Sequence, residues 1–178
     1  MSDVQEMQAR IRALQEKMKE FHPDRWDQIP DIELYKDQVI SYMQRQHLGL
    51  GISEDEALTP AMITNYSKSG LLPRSKGKRY TREHIAYLTA ICLLKQVVSV
   101  GDAGTLLAEC MSREEVGDFY EAFSDLLDRE YAEKAGRLEG VGTREQAAQL
   151  AMELAVSSYA EKLLCQQLIR FLADGEQE

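Results

Sequence analysis

Between Thr59 and Val100 the chain gathers seven cations, Lys68, Arg74, Lys76, Lys78, Arg79, Arg82 and Lys95, against one anion, Glu83. The whole chain of 178 residues carries a formal charge of −9. Residues 1–58 hold seven cations against twelve anions, and residues 101–178 seven against seventeen. A positive island between acidic flanks is the electrostatic footprint that a polyanion-binding element needs. Within it, Arg74-Ser75-Lys76-Gly77-Lys78-Arg79 sets four cations around one glycine and ends at Tyr80. A glycine-centred hairpin turn of this kind can reach backbone phosphates or a minor groove.

The stretch before that turn reads as a short helix from Thr59 to Ser69. Thr59 caps it, Pro60 takes the first helical position where its missing N–H costs nothing, and Gly70 ends it as a left-handed cap. Met62, Ile63 and Tyr66 share one face, Ala61, Thr64, Asn65 and Lys68 the opposite one. Alanine and threonine can meet a thymine methyl, asparagine can pair with adenine, and lysine can meet guanine or phosphate. After the basic turn Thr81 caps a second helix, Ile85 to Val98, which is apolar on nearly every side and so belongs at the centre of a core. His84 in its first turn either faces the DNA side or fills that turn. A short capped helix, a basic turn and a buried helix in this order are the layout of a winged helix-turn-helix. The candidate DNA contacts are Thr59, Ala61, Thr64, Asn65, Lys68, Arg74, Lys76, Lys78, Arg79, Tyr80 and Arg82.

Helical periodicity governs the remaining elements that must position this island. Val4, Met7, Ile11, Leu14, Met18 and Phe21 form a narrow seam, capped by Ser2 or Asp3 and stopped at His22-Pro23. That seam packs either within its own domain or as a coiled coil. Asp24 to Pro30, with Trp26, is a linker or an anchored loop. Ile32 to Leu48 is a helix with Leu34, Tyr35, Val39, Tyr42 and Met43 on one face, broken by Gly49-Leu50-Gly51. Ser53 and Glu56 match a capping box that Pro60 cuts short. Ser99 to Cys110 is a short helix. Ser112 with Glu115 reads as a capping box for a helix carrying Phe119, Tyr120, Phe123, Leu126, Leu127 and Tyr131. Gly136 to Gly142 is a joint, and Thr143 with Gln146 caps a last helix through Leu150, Leu154, Leu163, Leu168 and Phe171. Only a short strand pair around Pro73 to Tyr80 interrupts the helices, and the fold class expected is all-α.

Other chemistries find little support. No run approaches the roughly 20 apolar residues of a membrane span, and the polar N-terminus gives no signal peptide, so a cytoplasmic protein is expected. Cys92, Cys110 and Cys165 are far apart and odd in number, which suits small apolar residues on helices better than disulfides or a metal site. His22, His47 and His84 have no cysteine or acid at ligand spacing. With no phosphate loop, nucleophile elbow or zinc motif, neither an enzyme nor a cofactor or metal is expected.

Met62 to Pro73, then Arg79-Tyr80-Thr81-Arg82-Glu83 and an apolar helix, resembles the DNA-binding half of MerR-family regulators. Thr64 and Asn65 stand where those usually carry arginine and an aromatic. Leu58-Thr59, Met62 to Tyr66, Lys68, Lys78 to Thr81 and Leu94 to Ser99 are more closely similar to MerR-like bacterial proteins grouped as domain of unknown function 1836. The resemblance spans Leu34 to Cys110 and implies a winged helix-turn-helix and a DNA-binding role. The expected organisation is an N-terminal helix and linker at 1–30, a MerR-like winged helix-turn-helix at 31–110, and a helical dimerisation or effector region at 111–178. The expected partners are double-stranded DNA and a second copy of the chain, with the effector unknown. The competing reading is a helical protein–protein interaction module that reuses the winged helix and has no DNA target.

Overall fold

A computed structural model describes residues 3–46, 57–112 and 114–174. Among these the chain forms seven helices: α1 (Asp3–Glu20), α2 (Lys36–Arg45), α3 (Pro60–Lys68), α4 (Arg82–Leu94), α5 (Val100–Met111), α6 (Val116–Gly136) and α7 (Arg144–Asp174). The protein is mainly helical. The Ser2 cap, His47, the helix end at Leu48, the Gly49–Gly51 break and the Ser53–Glu56 box lie outside the described residues.

α4 is the hub, touching α2, α5 and α6. Ile85, Ala86, Leu88, Ala90 and Ile91 are almost fully buried. They meet Val39, Tyr42 and Met43 of α2, Ile63 and Tyr66 of α3, Leu72, Tyr80 and Tyr120 in one cluster. A helix apolar on every side can be satisfied only by neighbours on several sides, and α4 has them. It ends at Leu94 rather than Val98, because Gln96 and Val97 bond back to Leu93 and Leu94 in a tight turn. Val97 is left exposed.

Thr59 caps α3 as the sequence implies, its Oγ1 accepting from the Met62 N–H at 3.2 Å. Gly70 follows with φ +80°. At α7 the Gln146 N–H donates to Thr143 Oγ1 at 3.2 Å, and Gln146 Oε1 accepts from the Thr143 N–H at 3.1 Å. Two expected starts are corrected. The helix expected from Ile32 begins at Lys36, because Leu34 is held extended: its N–H donates to the Tyr80 carbonyl at 2.8 Å and its carbonyl accepts from the Tyr80 N–H at 2.9 Å. Ser112 closes α5 and does not open α6, its hydroxyl donating to the Glu109 carbonyl at 2.8 Å; Glu115 stands at the N-cap of α6. The short strand pair reduces, among the described residues, to two isolated antiparallel bridges, Leu34 with Tyr80 and Lys76 with Arg79.

α1 packs along α6, with Phe21 edge-on to Tyr131 at 5.2 Å and the Gln15 amide donating to the Ala135 carbonyl at 3.2 Å. Its seam therefore has a partner within its own chain. The segment after it is an anchored loop. Arg25 bonds Glu121, Asp125 and Asp128 at 3.2, 2.6 and 2.7 Å, three carboxylates one helical turn apart on α6. The Trp26 N–H donates to Glu121 at 2.8 Å, and its indole lies where a Cβ at Gly117 would come within 2.9 Å. Only glycine fits that position on α6 without moving the ring. α7 is set on α5 through Ile169 and Cys165, which cover Val98 and Ala103. No helix of the described residues is long and apolar enough to cross a membrane.

Ile91→Ala should leave a cavity at the meeting point of these helices and cost on the order of 2–5 kcal/mol in chemical denaturation. A variant unfolding at the parent's midpoint would show that α4 is not the core's centre.

Candidate nucleic-acid interface

α3 divides as its sequence predicts. Ile63 and Tyr66 are buried and Met62 is half-buried, while Ala61, Asn65 and Lys68 are exposed and Thr64 is half-buried. The exposed face carries a methyl, an amide and an ammonium, the groups that meet base edges or phosphates. Thr64 is less free than its sequence suggests. Its hydroxyl donates to the Pro60 carbonyl at 2.9 Å and accepts from Lys36 Nζ at 2.8 Å, so its methyl is the part left to meet a ligand.

Lys36 is the residue that sequence reasoning missed. It opens α2, outside the basic island and beside Asp37. The folded chain places it against Thr64 and into a cleft of about 360 Å³ lined also by Ser67, Lys68, Arg74, Ser75, Lys78 and Tyr80. No local pattern signals this, since it depends on where α2 starts.

The turn that closes the cleft is tight. The Arg79 N–H donates to the Lys76 carbonyl at 3.0 Å, and both central residues have positive φ, Gly77 at 57° and Lys78 at 63°. A type I′ hairpin needs that geometry at both positions. Glycine adopts it freely, whereas a lysine there costs about 1–2 kcal/mol. The strain is spent on a residue whose side chain lines the cleft.

The remaining candidates take other positions. Lys76 is exposed at the turn, and Thr59 is spent on capping α3. Arg79 lies over the Tyr35 ring at 3.8 Å, a cation–π contact that holds the turn against the start of α2. Arg82 is drawn away from the cleft, over the Trp26 ring at 5.3 Å and 4.0 Å from Asp31, with its Nε buried and unpartnered. Tyr80 is buried, paired through its backbone with Leu34 and through its ring with His84. It works as a pillar under the turn and presents little to a ligand.

His84 fills the first turn of α4 and is buried. Its Nδ1 accepts from the Thr81 N–H at 3.0 Å, the role usually given to glutamate or glutamine in a capping box. That assignment leaves the proton on the buried Nε2. Burial lowers the ring's pKa below the ordinary histidine value, against weaker upward pulls from the Pro73 carbonyl and Glu83. The charge cost is high here, because a cation would also sit at a helix N-terminus.

As pH falls through about 6.5, the unfolded chain protonates this histidine while the folded chain resists, so stability falls. His84→Gln keeps an acceptor at the same place and should reduce the drop in melting temperature between about pH 7.5 and pH 5.5. An equal drop in parent and variant would show that His84 does not set the acid sensitivity.

No group of histidine, cysteine and acidic side chains among the described residues could hold a metal ion. Cys92, Cys110 and Cys165 are all free, and burial raises the Cys92 thiol to about 11. Neither a curated protein nor a solved structure matches the chain. The family profile described as domain of unknown function (DUF1836) matches residues 24–123. Those limits take in the anchored loop, Lys36, α3, the basic turn and α4, and run to Phe123 on α6. The match covers more than half of the chain, which therefore belongs to the DUF1836 family.

Proposed function

We propose that this chain is a sequence-specific DNA-binding transcriptional regulator, a MerR-like winged helix-turn-helix with a helical C-terminal extension. α3 is its recognition helix, and the Arg74–Tyr80 turn is its wing. The observation that carries this reading is the continuity of two surfaces. Ala61, Asn65 and Lys68 stand exposed on a helix whose opposite face is buried, and Lys68 also lines the cationic cleft beside it. A helix that reads bases needs an apolar back and a polar front, and cations beside it to neutralise phosphate. In this reading the protein is not an enzyme, uses no cofactor and acts in the cytoplasm.

A second copy of the chain is the proposed protein partner, because one short helix reads too few base pairs to be specific. α7 offers the surface. Met152, Val156, Leu164, Leu168 and Leu172 fall on one row of residues four apart, with Tyr159, Leu163 and Phe171 on the row beside it, and these eight side chains are 36–71% exposed. Neither row carries a charge between Met152 and Leu172. Such i±4 ridges interdigitate at a crossing of about −50°, with Ala160 small enough for close approach at the centre. Leu150 and Leu154 are half-buried and stand on the other side of the helix from Met152 and Tyr159.

Binding to retained genomic fragments tests the DNA reading. Affinity should fall steeply between about 50 and 200 mM salt, as released counterions require. Asn65→Ala should change sequence preference by roughly 1–3 kcal/mol per base contact. Salt-insensitive binding to a protein partner, with no fragment retained, would favour the interaction-module alternative.

Assembly is tested by sedimentation of Val156→Glu combined with Leu164→Glu. The parent should run as a dimer and the variant as a folded monomer of unchanged helix content. A variant that remains a dimer would remove α7 from the interface. Deleting residues from Gly136 onward is a poorer test, since it also uncovers Val98 and Ala103.

A further inference from the structure

We infer that the cleft between α2, α3 and the basic turn seats one phosphate of the DNA backbone, with Lys36 as the clamp that closes it from α2. The inference rests on the DNA-binding reading and names the chemistry of one part of that surface.

Four cations reach this cleft from three separate elements: Lys36 from α2, Lys68 from the last turn of α3, and Arg74 and Lys78 from the turn. Among the described residues no acidic side chain lines it. Some cations elsewhere are closely paired, as with Arg25 and its three carboxylates, Arg10 with Glu6, and Arg137 with Glu153, while exposed ones such as Arg12 are not. Among the described residues none of the four cleft cations has an ion pair, in a chain with 30 acidic residues to draw on. Gathering four like charges without a counter-charge is unfavourable, and a bound anion relieves it.

The polar lining narrows the class of anion. The four cations offer only donors, and the hydroxyls of Ser67 and Ser75 can donate as well. Ser67 Oγ is buried with no hydrogen-bonding partner among the described residues. A base edge presents both donors and acceptors, whereas a phosphate presents acceptors alone, and the lining matches the phosphate. The size suits a phosphate with part of its sugar.

Lys36 is fixed before the ligand arrives. Its ammonium donates to Thr64 Oγ1 at 2.8 Å, and the Thr64 hydroxyl hydrogen is turned to the Pro60 carbonyl, which leaves its oxygen free to accept. The lysine is thereby held on the recognition helix with less rotamer freedom to lose on binding. A phosphate clamped between α2, α3 and the turn would set the register of α3 against the base edges.

The test uses the full chain, a mixed-sequence duplex and inorganic phosphate as probes. For the parent, log Kobs should fall linearly with log salt. Lys36→Gln should reduce the slope by about 0.9, the share of one phosphate contact. Lys36→Arg should restore it, and Arg12→Gln, an exposed cation on α1, should leave it unchanged. Melting curves confirm that the variants fold. If the parent shows a steep slope that Lys36→Gln does not alter, the clamp is wrong and the DNA reading stands. If the parent shows no salt-dependent DNA binding, the DNA reading fails and the backbone source with it. Amide shifts at Ser67, Lys68 and Ser75 on adding inorganic phosphate, lost in Lys36→Gln, would then leave a free phosphorylated ligand as occupant. No shift would overturn the seat altogether.

Discussion

The pairing of Leu34 with Tyr80 fixes the geometry on which the candidate interface depends. Two backbone hydrogen bonds join the segment before α2 to the end of the basic turn, with both side chains buried. Net, such bonds contribute only about 0.5–1.5 kcal/mol each, so their importance lies in position. Holding Leu34 extended delays the start of α2 to Lys36. Tyr35 then stands under the Arg79 guanidinium, and Lys36 comes to rest against Thr64. Were the helix to begin at Ile32, Leu34 could not make this bridge and the cleft would lose its α2 wall.

A second junction holds that arrangement to the rest of the molecule. Asp24 accepts from the Tyr42 hydroxyl at 2.7 Å and the Gln46 amide at 2.6 Å, and its carbonyl accepts from the Tyr120 hydroxyl at 2.9 Å. Burial raises the Tyr120 phenol to about 12 and, with Asp24 beside it, raises Tyr42 as well. Both therefore stay protonated donors wherever the protein is folded. Arg25 next to this knot takes up Glu121, Asp125 and Asp128, with Asp125 the main group holding the guanidinium charged. Part of the acidic charge of the C-terminal region is thus paired with a structural arginine.

The charge balance of −9 would seem to oppose a DNA partner. At physiological ionic strength, however, exposed charges more than about 8 Å apart are largely screened. What a phosphate meets at contact is the local lining, and around the cleft the described residues of that lining include four cations and no acid. Global charge governs solubility and encounter rate, while the cleft governs contact.

Much of this was legible in the sequence because it is local. The cap at Thr59, the stop at Gly70, the cap of α7 and the burial of α4 depend on residues a few positions apart, where short-range hydrogen bonds and helical period decide the outcome. The basic turn was legible for the same reason, since Gly77 and its flanking cations form one run. Ser112 misled because a serine can bond forward as a cap or backward to the preceding turn, and the choice belongs to the chain's path. Tertiary structure alone decided that Lys36 faces Thr64, that Arg82 turns to Trp26, that Tyr80 is a buried pillar, and that α7 leaves two apolar rows uncovered. Each of these depends on contacts between elements far apart in the chain, and no spacing rule within one element encodes them.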